Sequence, residues 1–350
     1  MSHQPPAPAR PGSGTRAPGQ LMAAEMAAQP EVLARLAGRA AADAAAVRAV
    51  LPGPLAGVMF VARGSSDNAA VFGRYLTELT AGRPAGLAAP SLYTRYRAAA
   101  DWHGYLVIAL SQSGATPEIL TTAEALRSRG ARVIGITNEP GSPLAGVTDL
   151  VLTTDAGPER AVPATKTVTA QLAVLVSVAA ALGPGAAAEE VLPRLPDAVR
   201  AVLADPGPVT SLAAGWAALD RLVVTGRGLG YAAALETALK VKETSGILAE
   251  GISAADLRHG PIAAVYAGAP VLLVDAGGPA AADLAELREL LQRRGAESAA
   301  LPGPVAAGLP EPAQVITAVV RGQQLAHALA LARGADPDSP AHLTKVTGTT

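Results

Sequence analysis

The stretch "IALSQSGATPEIL", residues 108–120, brings Ser111, Gln112, Ser113 and Thr116 to the point where an apolar run hands over to a helix-forming one. Pro117 suits a first helical position and Glu118 the turn behind it, so the hydroxyls crowd a helix N-terminus. Backbone N–H groups and the helix dipole favour an anion there. "ARGSSDN", residues 62–68, repeats the arrangement with Ser65 and Ser66, and "VPATKTVT" adds Thr165 and Thr167 where another helix opens. A serine in such a place can also do no more than cap its helix. Two such loops in neighbouring strand–helix units point instead to a phosphate cradle, and uncharged donors suit weak, reversible holding of a sugar phosphate. Neither loop has the glycine spacing of a Walker loop or a dinucleotide fingerprint.

A second set lies in "ALETALKVKETSGILAEGISAADLRHGPI", residues 234–262. Glu236 and Lys240 are four apart and read as a surface helix pair. Glu243, three residues after Lys240, shares its face near the helix end, where the dipole disfavours a carboxylate unless something holds it. His259 precedes Gly260-Pro261, which stop a helix and leave the imidazole in a loop. Taken alone, such a histidine reads as a polar surface residue. Carboxylate, imidazole and amine together suit proton transfer on a carbonyl compound.

These residues need a frame. "GVMFVARGSS" reads as strand then turn and "DNAAVFGRYLTELTAG" as helix; "GYLVIALSQSG" and "TPEILTTAEALRSRG" repeat the unit. "ARVIGITN" and "DLVLTT" are further strands, and "TKTVTAQLAVLVSVAAAL" a closing helix. Apolar strands alternating with helices imply an α/β fold with a parallel sheet covered on both faces. After a Gly-Pro-bracketed connector over residues 185–209, "RLVVTGRGLG" restarts the pattern, with "APVLLVDAG" and "AESAALPG" as strands and "PAQVITAVVRGQQLAHALALARG" as a long helix. The expected organisation is a disordered leader over 1–20, a first unit over 21–184 that opens with one or two entry helices, a second over 210–335, and a tail over 336–350.

Composition narrows the function. With 28 basic and 29 acidic side chains there is no electrostatic footprint for nucleic acid, and 3% aromatic residues leave no platform for stacking bases. No cysteine is present, which excludes disulfides, thiolate metal sites and a cysteine nucleophile within these residues. No metal or other cofactor is expected. The Pro- and Gly-rich first residues lack the apolar core of a signal peptide, and the apolar run from Leu172 breaks at Gly183-Pro184, short of a span. The expectation is a cytoplasmic protein with no membrane partner.

Taken in order, "SQSGATPEIL", "RVIGITN", "AGPERAVPATKTVTAQL", "GRGLGYAAALETALKVKETSGILAE", "DLRHGP" and "DPDSPAHLTKVT" resemble the double sugar-isomerase-domain (SIS) proteins. That family includes the isomerase half of glucosamine-6-phosphate synthase and the stand-alone glucosamine-6-phosphate deaminases, and the likeness runs from about Met22 to the C-terminus. The resemblance implies two tandem SIS domains, each a three-layer flavodoxin-like α/β/α unit. It implies that Ser66, Ser111, Gln112, Ser113 and Thr116 hold the sugar phosphate, and that Glu243, with Lys240 beside it, moves the proton between C1 and C2. It further implies that His259 opens the sugar ring from the neighbouring subunit of a homodimer. The tail, otherwise read from composition as a frayed end, would fold over the site and bring Lys345 to the substrate.

Two departures bear on preference. Ala164 stands where the synthase pattern has a serine, and Ala255-Asp256 where it has Gly-Glu. The synthase draws ammonia from glutamine with a glutaminase cysteine that these residues lack, and "KETSGILAEGISAADLRHGP" and "HLTKVTGTT" look closer to the deaminases. The expectation is therefore isomerisation of glucosamine 6-phosphate or a close relative with release of ammonia. Alternatives are an isomerase or deglycase of another modified sugar phosphate, or a regulator that binds a sugar phosphate without turnover.

Overall fold

The computed structural model describes residues 16–183, 188–301, 308–341 and 343–345. The expected leader falls outside these residues up to position 15, as do the boundary at 184–185 and, in the tail, residues 342 and 346–350. Two helices open the fold: α1 (Gln20–Ala27), which begins within the expected leader, and α2 (Gln29–Val50). The first sheet is built by β1 (Gly57–Val61), β2 (Ala85–Leu87), β3 (Tyr105–Leu110), β4 (Arg132–Thr137) and β5 (Leu150–Thr153). Its order is β2-β1-β3-β4-β5 and every pairing is parallel, with Phe60 beside Ile108 and Ile108 beside Ile134. Between the strands run α3 (Ser65–Ala81), α4 (Ser91–Thr94), α5 (Pro117–Arg127) and α6 (Pro143–Gly146), and α7 (Lys166–Leu182) follows the sheet.

A helical passage, α8 (Ala188–Val191), α9 (Leu195–Ala204) and α10 (Gly207–Trp216), leads to the second sheet. That sheet comprises β6 (Arg221–Gly226), β7 (Leu248–Ser253), β8 (Pro270–Val274) and β9 (Glu297–Ala300), again parallel, in the order β7-β6-β8-β9. Its helices are α11 (Gly230–Ser245), α12 (Ala254–Arg258), α13 (Ala281–Arg293) and the long α14 (Glu311–Ala332). Apolar strands such as Leu106–Leu110 are buried on both faces, as a parallel sheet between helical layers requires.

The sequence pattern omits β2 and β7. β2 is three residues long, and "LAEGIS" of β7 mixes Glu250 and Gly251 into an edge strand whose Leu248 lies open to solvent. Neither carries the unbroken apolar run that marks the inner strands.

One apolar core runs through both sheets. Phe60, Phe72, Ile108 and Ile134 of the first half belong to the same cluster as Val224, Leu272 and Val274 of the second. α7 and α14 are buried along nearly all of their faces within it. By length and composition α14 could cross a membrane, but most of it is enclosed by this core. Alanines and glycines bring the central helices close. A Cβ at Gly322 of α14 would lie 2.1 Å from Thr237 Oγ1 of α11, so only glycine permits that crossing.

Candidate active site

The C-terminal ends of β1 and β3 open onto a cavity of about 340 Å³, the place where parallel sheets bind ligands. Its first end is made of Arg63, Gly64, Ser65, Ser66, Ser111, Gln112, Ser113 and Thr116. Ser66, in the first turn of α3, is nearly buried, and its Oγ accepts from Gln171 Nε2 of α7 at 3.0 Å. Ser111 Oγ and Thr116 Oγ1 are 3.2 Å apart, and Ser113 Oγ accepts from Ala115 N at 3.3 Å. Among the described residues Thr116, the N-cap of α5, makes no side-chain capping bond. The start of α5 thus lacks the bond that a purely capping role for its loop would show. Gly114 makes the turn possible: its φ is 59°, and a Cβ there would stand 1.9 Å from Ser142 Oγ.

A second part of the lining comes from the last turns of α11. Lys240 pairs with Glu243 and lies 3.6 Å from Glu236 Oε1, while Glu236 Oε2 accepts from Asn68 Nδ2 of α3 at 2.8 Å. The expectation of a surface pair for Glu236 and Lys240 is corrected here. They are 2% and 1% exposed, because α11 packs between α3 and α14 and an i,i+4 spacing carries no information about burial. Burial works against the Lys240 charge, but the two carboxylates outweigh it and hold the ammonium above the ordinary lysine range. Burial pushes Glu236 up. Lys240 also answers the dipole penalty on Glu243, since it supplies the partner a carboxylate at a helix C-terminus needs.

Leu343, Thr344 and Lys345 of the tail close the cavity. Asp336 accepts from Gly19 N at 2.9 Å, and Asp338 from Leu21 N and Met22 N at 2.8 Å each, so the tail is tied to the start of α1. Val162 N donates to the Asp338 carbonyl at 3.0 Å. Lys345 Nζ then lies 2.8 Å from Glu159 Oε2. Glu159 is buried and also accepts from Thr165 N, Thr167 N and Thr167 Oγ1 at 2.9, 3.1 and 2.7 Å. Thr165 and Thr167, read in the sequence as a third set of cavity hydroxyls, instead serve this carboxylate and do not line the cavity.

Burial would raise the Glu159 carboxyl, but Lys345 and the threonine donors prevail and hold it below the ordinary range. A depressed carboxylate stabilises the fold above its unfolded pKa, about 4.3, and loses that contribution as pH falls through the folded value. Glu159→Gln should therefore lower the melting temperature at neutral pH and flatten the acid limb of the stability profile. Thermal denaturation of both proteins across that limb checks this; parallel limbs would mean that the ion pair contributes nothing.

Ser66, Ser111, Gln112, Ser113, Thr116, Lys240, Glu243 and Lys345 therefore meet around one space. His259 does not. It is the exposed C-cap of α12, outside the cavity lining. Ala164 lies in the lining, so the hydroxyl missing there is missing from the cavity itself. Sequence reasoning left Glu159 and Arg63 without roles, although both stand in stretches it singled out. The signal for Glu159 is its position in "AGPERAVPATKT", six and eight residues before the threonines that bind it.

Comparison with known proteins matches a family model, the SIS domain, to residues 57–181 and 217–305. The glutamine–fructose-6-phosphate aminotransferase (isomerizing) of Symbiobacterium thermophilum is 37% identical over 310 residues, covering 82% of this chain and 51% of that protein. The chain thus spans about half the length of the curated relatives it matches. A candidate phosphosugar isomerase from Silicibacter pomeroyi superposes with a TM-score of 0.83 at 34% identity, over 91% of this chain and 99% of that one. The glucosamine-6-phosphate deaminase of Thermotoga maritima superposes at 0.72 with 23% identity, over 94% and 100%, a likeness of fold. Both sheets fall within the two matched segments, and the chain belongs to the SIS domain family.

Proposed function

We propose that this site isomerises an amino-sugar phosphate, glucosamine 6-phosphate or a near relative, and releases ammonia by hydrolysis. The observation that carries this reading is that the Lys240–Glu243 pair, the Ser/Thr loops and Lys345 of the tail line one cavity. The loops hold the phosphate by hydrogen bonds and helix N-termini. Glu243 takes the proton from C2 of the open-chain sugar and returns it to C1, which turns the 2-amino aldehyde into a ketimine. Water then adds at C2, and the C2–N bond breaks to give a ketose phosphate and ammonia. Lys240 holds the Glu243 side chain in place beside the sugar, and Lys345 leaves Glu159 to meet the sugar. His259 of a second copy opens the ring, which would account for its exposed place away from its own chain's cavity.

The test is an ammonia-release assay across a panel of amino-sugar 6-phosphates, run also in reverse with ketose phosphate and ammonia. Release from at least one member is the expected result. The reverse direction tests a second reading favoured by the 37% identical aminotransferase, in which the same carboxylate aminates a ketose phosphate. Tight binding with turnover in neither direction would leave a sugar-phosphate sensor.

A further inference from the structure

The hydroxyl cradle is neutral, whereas a phosphate monoester carries a charge of about −1.5 to −2 at neutral pH. Among the described residues three formal cations line the cavity: Arg63, Lys240 and Lys345. Lys240 is enclosed by Glu236 and Glu243, and Lys345, paired with buried Glu159, is the group that the proposed function turns to the sugar. Arg63 differs from both. It stands in the same loop as Ser65 and Ser66, at the end of the cavity where Ser111, Ser113 and Thr116 gather.

Glu118, in the first turn of α5, grips Arg63 in a fork, with Nε–Oε2 at 2.9 Å and Nη2–Oε1 at 3.0 Å. A guanidinium has five N–H donors, so this grip leaves three for a ligand while fixing the plane of the group. The Arg63 side chain is 44% exposed and that of Glu118 12%, so the cation faces the open side and the carboxylate sits behind it.

We infer that Arg63 is the charged member of the anion cradle, oriented by Glu118, and that it makes the site selective for dianionic phosphate esters over uncharged sugars. This rests on the phosphate-cradle part of the proposed function.

Calorimetric binding of inorganic phosphate to the full chain tests it without requiring turnover. Arg63→Ala should weaken binding roughly tenfold to a hundredfold and reduce its salt dependence, while Arg63→Lys keeps part of the affinity. Glu118→Gln should bind phosphate as well as the wild type or better, because a negative charge near the anion has gone. Ser111→Ala with Ser113→Ala serves as the control for the cradle. If that double variant weakens binding and Arg63→Ala does not, the role of Arg63 is overturned and the cradle stands. If Arg63→Ala and Glu118→Gln weaken binding equally, Arg63 only shapes the loop, and the inference also fails. If wild type binds no phosphate, or the serine variant binds as wild type does, the cradle reading itself falls.

Discussion

Glu243→Gln should bind a sugar phosphate as the wild type does, yet release ammonia about 100- to 10,000-fold more slowly, the usual cost of losing a general base. Glutamine keeps the shape and reach of the side chain and removes only its ability to take a proton. Lys240 would still have Glu236 beside it, so the buried ammonium is not left unpaired and the helix should hold. The Ser/Thr loops proposed to hold the phosphate belong to other elements and are untouched by the change. Exchange of the C2 proton with solvent deuterium isolates the step from ring opening and hydrolysis. Exchange at the wild-type rate in the variant would remove Glu243 from the mechanism.

Mixing two inactive proteins should restore activity. If His259 acts across a subunit boundary, a hybrid of Glu243→Gln and His259→Ala chains contains one site with both groups intact. Random re-pairing makes about half of the dimers hybrid, with one good site of two, so recovery of about a quarter of wild-type activity is expected. Each variant alone should stay near its own low level. No recovery after dissociation and re-pairing would mean that the histidine serves its own chain or takes no part, and the exposed position of His259 would then need another explanation.

The loops that line the cavity are legible in the sequence because they lie where the residue period changes. Ser111 to Thr116 fall between an unbroken apolar run and a helix opened by Pro117, and that junction has a physical meaning before any fold is known. Lys240 and Glu243 are legible as neighbours, since three residues is nearly one helical turn. The burial of Lys240 is not, because it depends on α3 and α14, which are far away in the chain. Glu159 is hidden for a similar reason: Lys345, which binds it, is 186 residues on. The fork between Arg63 and Glu118 joins a loop of one strand–helix unit to the helix of another, and only the parallel pairing of β1 with β3 brings them together. Local chemistry is therefore written locally, and pairing across elements is not.

The close crossing of α11 and α14 at Gly322 has a bearing on chain length in the substrate. On the proposed function the phosphate lies against the loops of the first sheet and the reacting carbons against α11, so the span of the site would be the separation of two half-molecules. That crossing holds α11 on its own half, and the contact of α3 with α11, where Asn68 bonds Glu236, sets the separation as a fixed calliper. A site built this way measures how many carbons lie between a phosphate and the atom that gives up its proton. Small residues buried in the seam would then govern which sugars fit, although none of them touches the sugar.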